Sequence, residues 1–272
     1  MMKDAINRQP FMDFLATRMT IAVLVMVLVQ PKRMMNLDRN TLKYGVILGV
    51  LLAGGYITQT IGLELSTAAI TGFITGLYVV LTPILGWVLL GKRANLKVWG
   101  GVLLATFGLA LISIRGESAS IGVGELWVAA CALLFAAHIV GLGRWSPGRD
   151  PYALTVIQLA VVGVMCWAFA LTDGYQPPSD SGVWGAVIFT AVLSTALAFL
   201  VQTWAQSHMD ASRVAIVLTA EVVFAAAFAV MVGQEELQVK TLIGGALMIA
   251  AMLLVEWPSR KGLDFVRPAA VE

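Results

Sequence analysis

The chain contains 272 residues with a formal net charge of +2, 59% hydrophobic residues and only 12% charged ones. An ordinary soluble domain carries about 25% charged residues. With a mean hydropathy of +0.85, this composition excludes a single water-facing domain. It points to a polytopic all-α membrane protein, because helices satisfy their own backbone hydrogen bonds in lipid.

Nine apolar blocks follow in chain order, at about 11–29, 42–62, 67–90, 95–114, 122–142, 152–172, 183–204, 210–233 and 239–256. Each approaches the roughly 20 residues a helix needs to cross about 30 Å of hydrocarbon. The first starts at Phe11, and no small-residue cleavage site follows it, so no cleavable signal peptide is expected. Pro31, Gly91, Pro147, Pro151, the Pro177–Pro178 pair and Pro258 fall between or beyond the blocks, as helix breakers should. Pro83 alone lies inside one. Trp99, Trp127, Trp145, Trp184 and Trp257 sit at block ends, where indoles favour the membrane interface. Cys131 and Cys166 lie in different blocks without CxxC or metal-ligand spacing, and they read as buried apolar side chains.

Positive charge alternates from one connecting segment to the next. One set of segments holds thirteen basic residues, Lys32, Arg33, Arg39, Lys43, Lys92, Arg93, Lys97, Arg144, Arg149, Arg213, Arg260, Lys261 and Arg267. The other set holds four, Lys3, Arg8, Arg115 and Lys240. By the positive-inside rule the first set is cytoplasmic. The expectation is a multi-pass membrane protein, C-terminus cytoplasmic and N-terminus external.

The segments QTIGLELSTAA, from Gln59, and QTWAQSHMDAS, from Gln202, are 143 residues apart. The same ungapped offset pairs Ala53 with Ala196, Tyr78 with Glu221, Lys97 with Lys240 and Gly101 with Gly244. It also carries Lys92–Arg93, at a cytoplasmic end, onto Glu235–Glu236, at an external one. A copy inserted upside down loses its cytoplasmic charge in this way, and inverted repeats recur in secondary transporters. The second half supplies five spans and the first four, because 122–142 has no partner. GRWSPGRDPYAL corresponds to MKDAINRQPFMDF, with Pro151 matching Pro10. The expected architecture is therefore an inverted-repeat helical bundle of nine helices (4+5) from a ten-helix (5+5) design, its first helix falling before Met1. Its parts are a four-helix repeat at 1–115, a five-helix repeat at 116–257 and a basic cytoplasmic tail at 258–272.

GFITGLYVVLTPILGWVLLGKR followed by VWGGVLLATFGLALIS resembles the first repeat of the EamA family, within the drug/metabolite transporter superfamily. GELWVAACALLFAAHIVGLGRW and DPYALTVIQLAVV resemble the opening of its second repeat, and AEVVFAAAFAVMVGQEEL that repeat's Glu-Pro-Val-Phe … Gly-Glu segment. The chain departs from the pattern at the usual first helix, at Val222 where a proline often follows the glutamate, and at Lys92 where a glutamate is usual. The resemblance implies ten-helix carriers that move small metabolites, amino acids or drugs across the inner (plasma) membrane, mostly outward, with a cavity between two five-helix halves.

Glu221 is the sharpest candidate. It lies in the middle of the block 210–233, where burying a carboxylate costs at least about 2.5 kcal/mol. A cavity-facing role in proton coupling or amine recognition stands against a structural hydrogen bond between helices. Tyr78, the repeat mate of Glu221, belongs to a stripe with Thr71, Thr75 and Thr82 at helical spacing. The stripe either faces the cavity or glues helices beside Gly72 and Gly76. Gln59 and Gln202 either line a cavity mouth or bond to helix termini. Gln158 sits inside a span, near the position matching Arg18. Arg18 lies about seven residues into its span, about 10 Å deep; it either anchors the helix, snorkelling outward, or pairs with a carboxylate or an anionic substrate. His138 reads as a structural histidine or a proton relay, and His208 lies in a loop. Pro83 breaks a backbone bond and, with Gly86 one turn on, forms a candidate hinge.

No Walker motif is present, so the expected energy source is a proton gradient or the substrate's own gradient. Neither HExxH, GxSxG nor paired intramembrane aspartates occur, and the chain is read as a non-enzyme. No cofactor, metal or nucleic acid is called for. The partners expected are a small-molecule substrate and the lipid bilayer, with monomer and homodimer both open. The alternatives are an inactive or partner-dependent truncated membrane subunit and, behind it, an intramembrane enzyme.

Overall fold

A computed structural model describes residues 9–35, 37–113, 122–172, 174–231 and 238–257. Every regular element among them is helical: α1 (Phe11–Val29), α2 (Pro31–Met35), α3 (Arg39–Leu65), α4 (Ala68–Gly76), α5 (Tyr78–Leu90), α6 (Leu96–Ser113), α7 (Val123–Trp145), α8 (Pro151–Ala170), α9 (Ser181–Phe189), a wider π-helical stretch (Thr190–Leu197), α10 (Ala198–Gln206), α11 (Ala211–Leu218), α12 (Ala220–Met231) and α13 (Val239–Glu256). The expected tail at 258–272 and the Glu235–Glu236 pair lie outside the described residues.

Eight of the nine expected blocks form helices long and apolar enough to cross a membrane. The ninth, expected at 95–114, is the shorter apolar helix Leu96–Ile112. As a whole α6 (Leu96–Ser113) matches α13 in length, and the residues that follow Ser113 lie outside the described ones.

Local chemistry explains the ends. Asp38 caps α3, accepting from the Thr41 backbone N–H at 2.7 Å and from the Thr41 hydroxyl at 2.5 Å. Asp150 caps α8, where Pro151 fills the first helical position and the Tyr152 N–H donates to Asp150 Oδ1 at 2.9 Å. Asp180 caps the α9 span through the N–H groups of Gly182 and Val183. Gly91, at φ 67°, closes α5: its N–H donates to the Trp87 carbonyl and that of Lys92 to Gly86, a turn a side chain at that φ would strain.

Two spans are interrupted midway, at Leu77 (φ −64°, ψ −5°) between α4 and α5, and at Thr219 (φ −63°, ψ −13°) between α11 and α12. The two breaks share one backbone geometry and lie one residue from register at the 143-residue offset. The same offset carries α6 onto α13 end to end.

Side chains set the packing. The largest core lies where α1 meets α8, around Leu15, Met19, Met26, Val156, Leu159, Val162 and Cys166, with Leu52 of α3. Met19 lies beside Gly163, while the Tyr152 hydroxyl donates to the Met26 carbonyl at 2.6 Å, so α1 and α8 run antiparallel. A second core joins α6 to α13 through Val98, Val102, Ala105, Ala251 and Val255. There Gly101 faces Val255 and Gly108 faces Gly244, so these helices too run antiparallel. Both contacts join helices that the sequence echo pairs. Helix α3 lies along α7, with Gly55 against Phe135 and Gly62 against Val128. Cys131 and Cys166 are buried free thiols.

A Cβ at Gly108 would lie 2.5 Å from the Gly244 carbonyl oxygen, where backbone, not a flexible side chain, blocks it. Gly108→Val should push α6 from α13 and lower stability by about 1–3 kcal/mol. Gly185→Ala, which meets open space, should leave the thermal midpoint of detergent-purified protein within the error of the unaltered chain.

The Thr41 hydroxyl and backbone N–H hold the Asp38 carboxyl below its ordinary pKa of 3.8. A carboxylate whose pKa is lower folded than unfolded stabilises above the unfolded value and loses that contribution as pH falls through the folded one. Asp38→Ala should therefore lower the melting midpoint at neutral pH, with the gap to the unaltered protein narrowing below pH 3.8; melts across that range check it.

Candidate functional site

Where the two broken spans meet α3, α7 and α10, a cavity of about 220 Å³ remains. Its polar lining is Tyr56 and Gln59 of α3, Thr75 of α4, Tyr78 of α5, His138 of α7, Gln202 of α10 and Glu221 of α12. Leu52, Phe135, Ile139, Phe199 and Leu218 supply the apolar wall. Glu221 stands ten residues after the start of α11 and ten before the end of α12, at the middle of its span. It is exposed to the cavity and makes no hydrogen bond or ion pair to any described residue. Tyr78 opens α5 directly after the break at Leu77, and Glu221 is the second residue of α12 after the break at Thr219. The two interruptions thus deliver the repeat mates to one space.

The surrounding bonds hold this lining in place. The Gln59 amide donates to Thr75 Oγ1 at 3.3 Å, and Thr75 Oγ1 lies 3.9 Å from Cys131 Sγ. His138 is buried, and its Nε2–H donates to Gln158 Oε1 at 2.7 Å, since a carbonyl oxygen only accepts. The Gln158 amide then donates to the Leu154 carbonyl at 3.1 Å, leaving Gln158 as a buried support behind the cavity. Gln202 donates to Gln206 Oε1 at 3.3 Å, and Gln206 to the Ile139 carbonyl at 2.8 Å, tying α10 to α7.

The structure thus brings together Glu221, Tyr78, Thr75, Gln59, Gln202 and His138 from the sequence candidates. Thr71 is buried outside the lining, its hydroxyl without a partner among the described residues. Thr82 donates to the Tyr78 carbonyl at 2.7 Å and borders a second cavity of about 370 Å³. That cavity lies among Gly86, Lys92, Arg93, Asn95, Asp210 and Arg213, on the side assigned to the cytoplasm. His208 stays in its loop, its Nδ1 near the Ser207 hydroxyl and the Trp204 carbonyl. Pro83 is continuous with α5, and the interruption falls six residues earlier, at Leu77. Arg18 is buried to 9% exposure beside Tyr56. Its guanidinium lies 5.9 Å over the Phe14 ring, and its Nε finds no partner among the described residues. Sequence reading missed Leu52, Tyr56, Phe135, Ile139, Phe199 and Leu218. Tyr56, a phenol deep inside an apolar block, was the one with a usable signal.

A helical bundle of membrane-length spans around a polar cavity is the architecture of a multi-pass membrane protein. The EamA-like transporter family profile matches residues 1–114 and 122–257, and the chain belongs to that family. An uncharacterized transporter of Archaeoglobus fulgidus is 32% identical over 78% of this chain and 68% of its own length. A biotin transporter of Escherichia coli K12 is 26% identical over 68% of this chain and 64% of its own length. A solved crystal structure, 18% identical, superposes with a TM-score of 0.80 over 93% of this chain and 90% of its own, which shows a shared fold.

Gln158→Leu should strand the buried His138 N–H and cost about 1–3 kcal/mol, read as a lower thermal midpoint. Gln158→Glu, which keeps an acceptor at that position, should recover part of the loss.

Proposed function

We propose that the chain is a secondary transporter that moves a small metabolite outward across the inner membrane by alternating access at the Glu221 cavity. The observation that carries this reading is the unpaired carboxylate at mid-span, facing a cavity built by seven helices. A charge at that depth is expensive unless water or a ligand meets it. The proposed moving parts are two inverted halves, 1–115 and 116–257. Antiparallel packing of the paired helices α1 with α8 and α6 with α13 supports an in-plane two-fold between them. The matched breaks at Leu77 and Thr219 are the proposed flexing points, with Pro83 and Gly86 letting α5 follow. The larger cavity among Lys92, Arg93 and Arg213 serves as the cytoplasmic vestibule, one helical turn below Tyr78.

A volume of about 220 Å³ falls below the roughly 300–1,000 Å³ of sites for drug-sized ligands. It favours a metabolite over a bulky drug. The Escherichia coli relative, a biotin transporter, is consistent with that size class. The coupling proposed is to protons through Glu221, with Gln59, Thr75, Tyr78, His138 and Gln202 as the polar lining that meets substrate.

Reconstituted vesicles test this. Uptake of amino acids, vitamins and small cationic drugs should appear for a restricted set of small metabolites and respond to an imposed pH gradient. Glu221→Gln should reduce the flux at least tenfold while the purified protein keeps its thermal midpoint. No flux for any compound, or full flux and an unchanged pH response in Glu221→Gln, would end the proposal.

A further inference from the structure

The cavity of about 370 Å³ on the side assigned to the cytoplasm gathers three cations, Lys92, Arg93 and Arg213, against one carboxylate, Asp210. None of the three forms an ion pair among the described residues, and the Asp210 side chain makes no capping bond to α11. The lining therefore holds an excess of two positive charges. Two helix N-termini open on the same space. Asn95 caps α6, its Oδ1 accepting from the Val98 N–H at 2.9 Å, which leaves its amide N–H groups without a partner among the described residues. Ala211 and Ser212, the first residues of α11, line it too. Both ends carry the positive pole of a helix dipole. The repeat does not call for this charge, since at the 143-residue offset Lys92 and Arg93 correspond to Glu235 and Glu236. Arg93 and Ala94 also border a second hollow, of about 340 Å³, whose other walls are Pro83, Trp87 and Trp99. The Arg93 guanidinium lies 5.6 Å over the Trp87 ring, between the basic cavity and the apolar one.

We infer that the two adjoining hollows bind one anionic phospholipid of the cytoplasmic leaflet, its phosphate among Lys92, Arg93 and Arg213 and an acyl chain along Trp87 and Trp99. Cations are common at that membrane face and by themselves mean little. Here they converge on a cavity, and the cavity adjoins a groove whose walls carry no charge besides Arg93. A free phosphate would fill the first hollow and leave the indoles unused. A zwitterionic lipid brings its own cation and meets three more. An anionic amphiphile uses both hollows at once. Basic pockets between spans on the cytoplasmic side suit such headgroups, and guanidinium groups match phosphate geometry. The site is separate from the mid-span one, because no residue lines both this cavity and the Glu221 cavity. Lys92 follows the end of α5 and Arg213 lies in the first turn of α11, so a bound headgroup joins the ends of the two broken spans, one from each half.

Native mass spectrometry of the purified full chain tests this without measuring flux, so its outcome is independent of the carrier proposal. Dioleoyl phosphatidylglycerol should bind at least tenfold more tightly than dioleoyl phosphatidylcholine. Displacing it with inorganic phosphate or glycerol 3-phosphate should take at least tenfold higher concentrations than displacing it with a second phosphatidylglycerol. Each cation beside an anionic headgroup contributes roughly fivefold in affinity. Lys92→Gln combined with Arg93→Gln, both at exposed positions, should therefore lose at least fivefold of the preference for phosphatidylglycerol. Lys32→Gln, also exposed and assigned to the same face, should keep it. Trp87→Ala should weaken the lipid and leave glycerol 3-phosphate unchanged. No binding of phosphatidylglycerol, equal binding of the two lipids, or a double variant with its preference intact overturns the assignment. An equal loss in Lys32→Gln overturns it in favour of diffuse surface charge, and phosphate as potent as the lipid overturns it in favour of a free anion.

Discussion

Hydrocarbon offers no hydrogen bonds, and that constraint organises the whole molecule. Each backbone must close on itself, so the described elements are helices. Each polar side chain in a span must bond inward or reach a wet space. Threonines at Thr17, Thr60, Thr82, Thr155 and Thr190 take the first route, donating to the carbonyl one turn back. Gln158 and His138 take it together, each satisfying the other. Glu221 has no such partner and stands at the cavity.

Lipid is as apolar as leucine, so helices must associate by contact and by bonds rather than by escape from water. Gly108 and Gly244 let α6 and α13 approach until the carbonyl of each lies where the other's Cβ would be. Between α1 and α8, aromatic tips do a related job: Tyr152 bonds to Met26 and the Trp167 indole N–H donates to the Thr20 hydroxyl at 2.9 Å. These seams are tight, whereas the cavity lies where two broken spans cannot pack as straight rods. Firm seams beside interrupted helices are what the proposed rocking of two halves would need.

The breaks at Leu77 and Thr219 connect fold to site. Each closes a helix with the same short turn and begins a second helix whose opening residues include Tyr78 or Glu221. The threonine stripe straddles the break: on α4 Thr75 reaches the cavity while Thr71 is buried outside its lining, and on α5 Thr82 borders the second cavity.

Sequence alone determined the membrane class, the helix bounds to within a few residues and the mid-span position of Glu221, because apolar block length and a charge at mid-block are local signals. Helix α1 at 11–29 and α13 at 239–256 were legible to the residue. Periodicity could not reveal the turn at Leu77, which is itself neither proline nor glycine. Whether Arg18 snorkels or stays buried depended on Tyr56 and Cys166 from other helices. Whether Gln158 faces a cavity or supports His138 depended on how α8 lies against α7. Such questions turn on the rotation of one helix about its axis relative to the next, and only the packed bundle decides that angle.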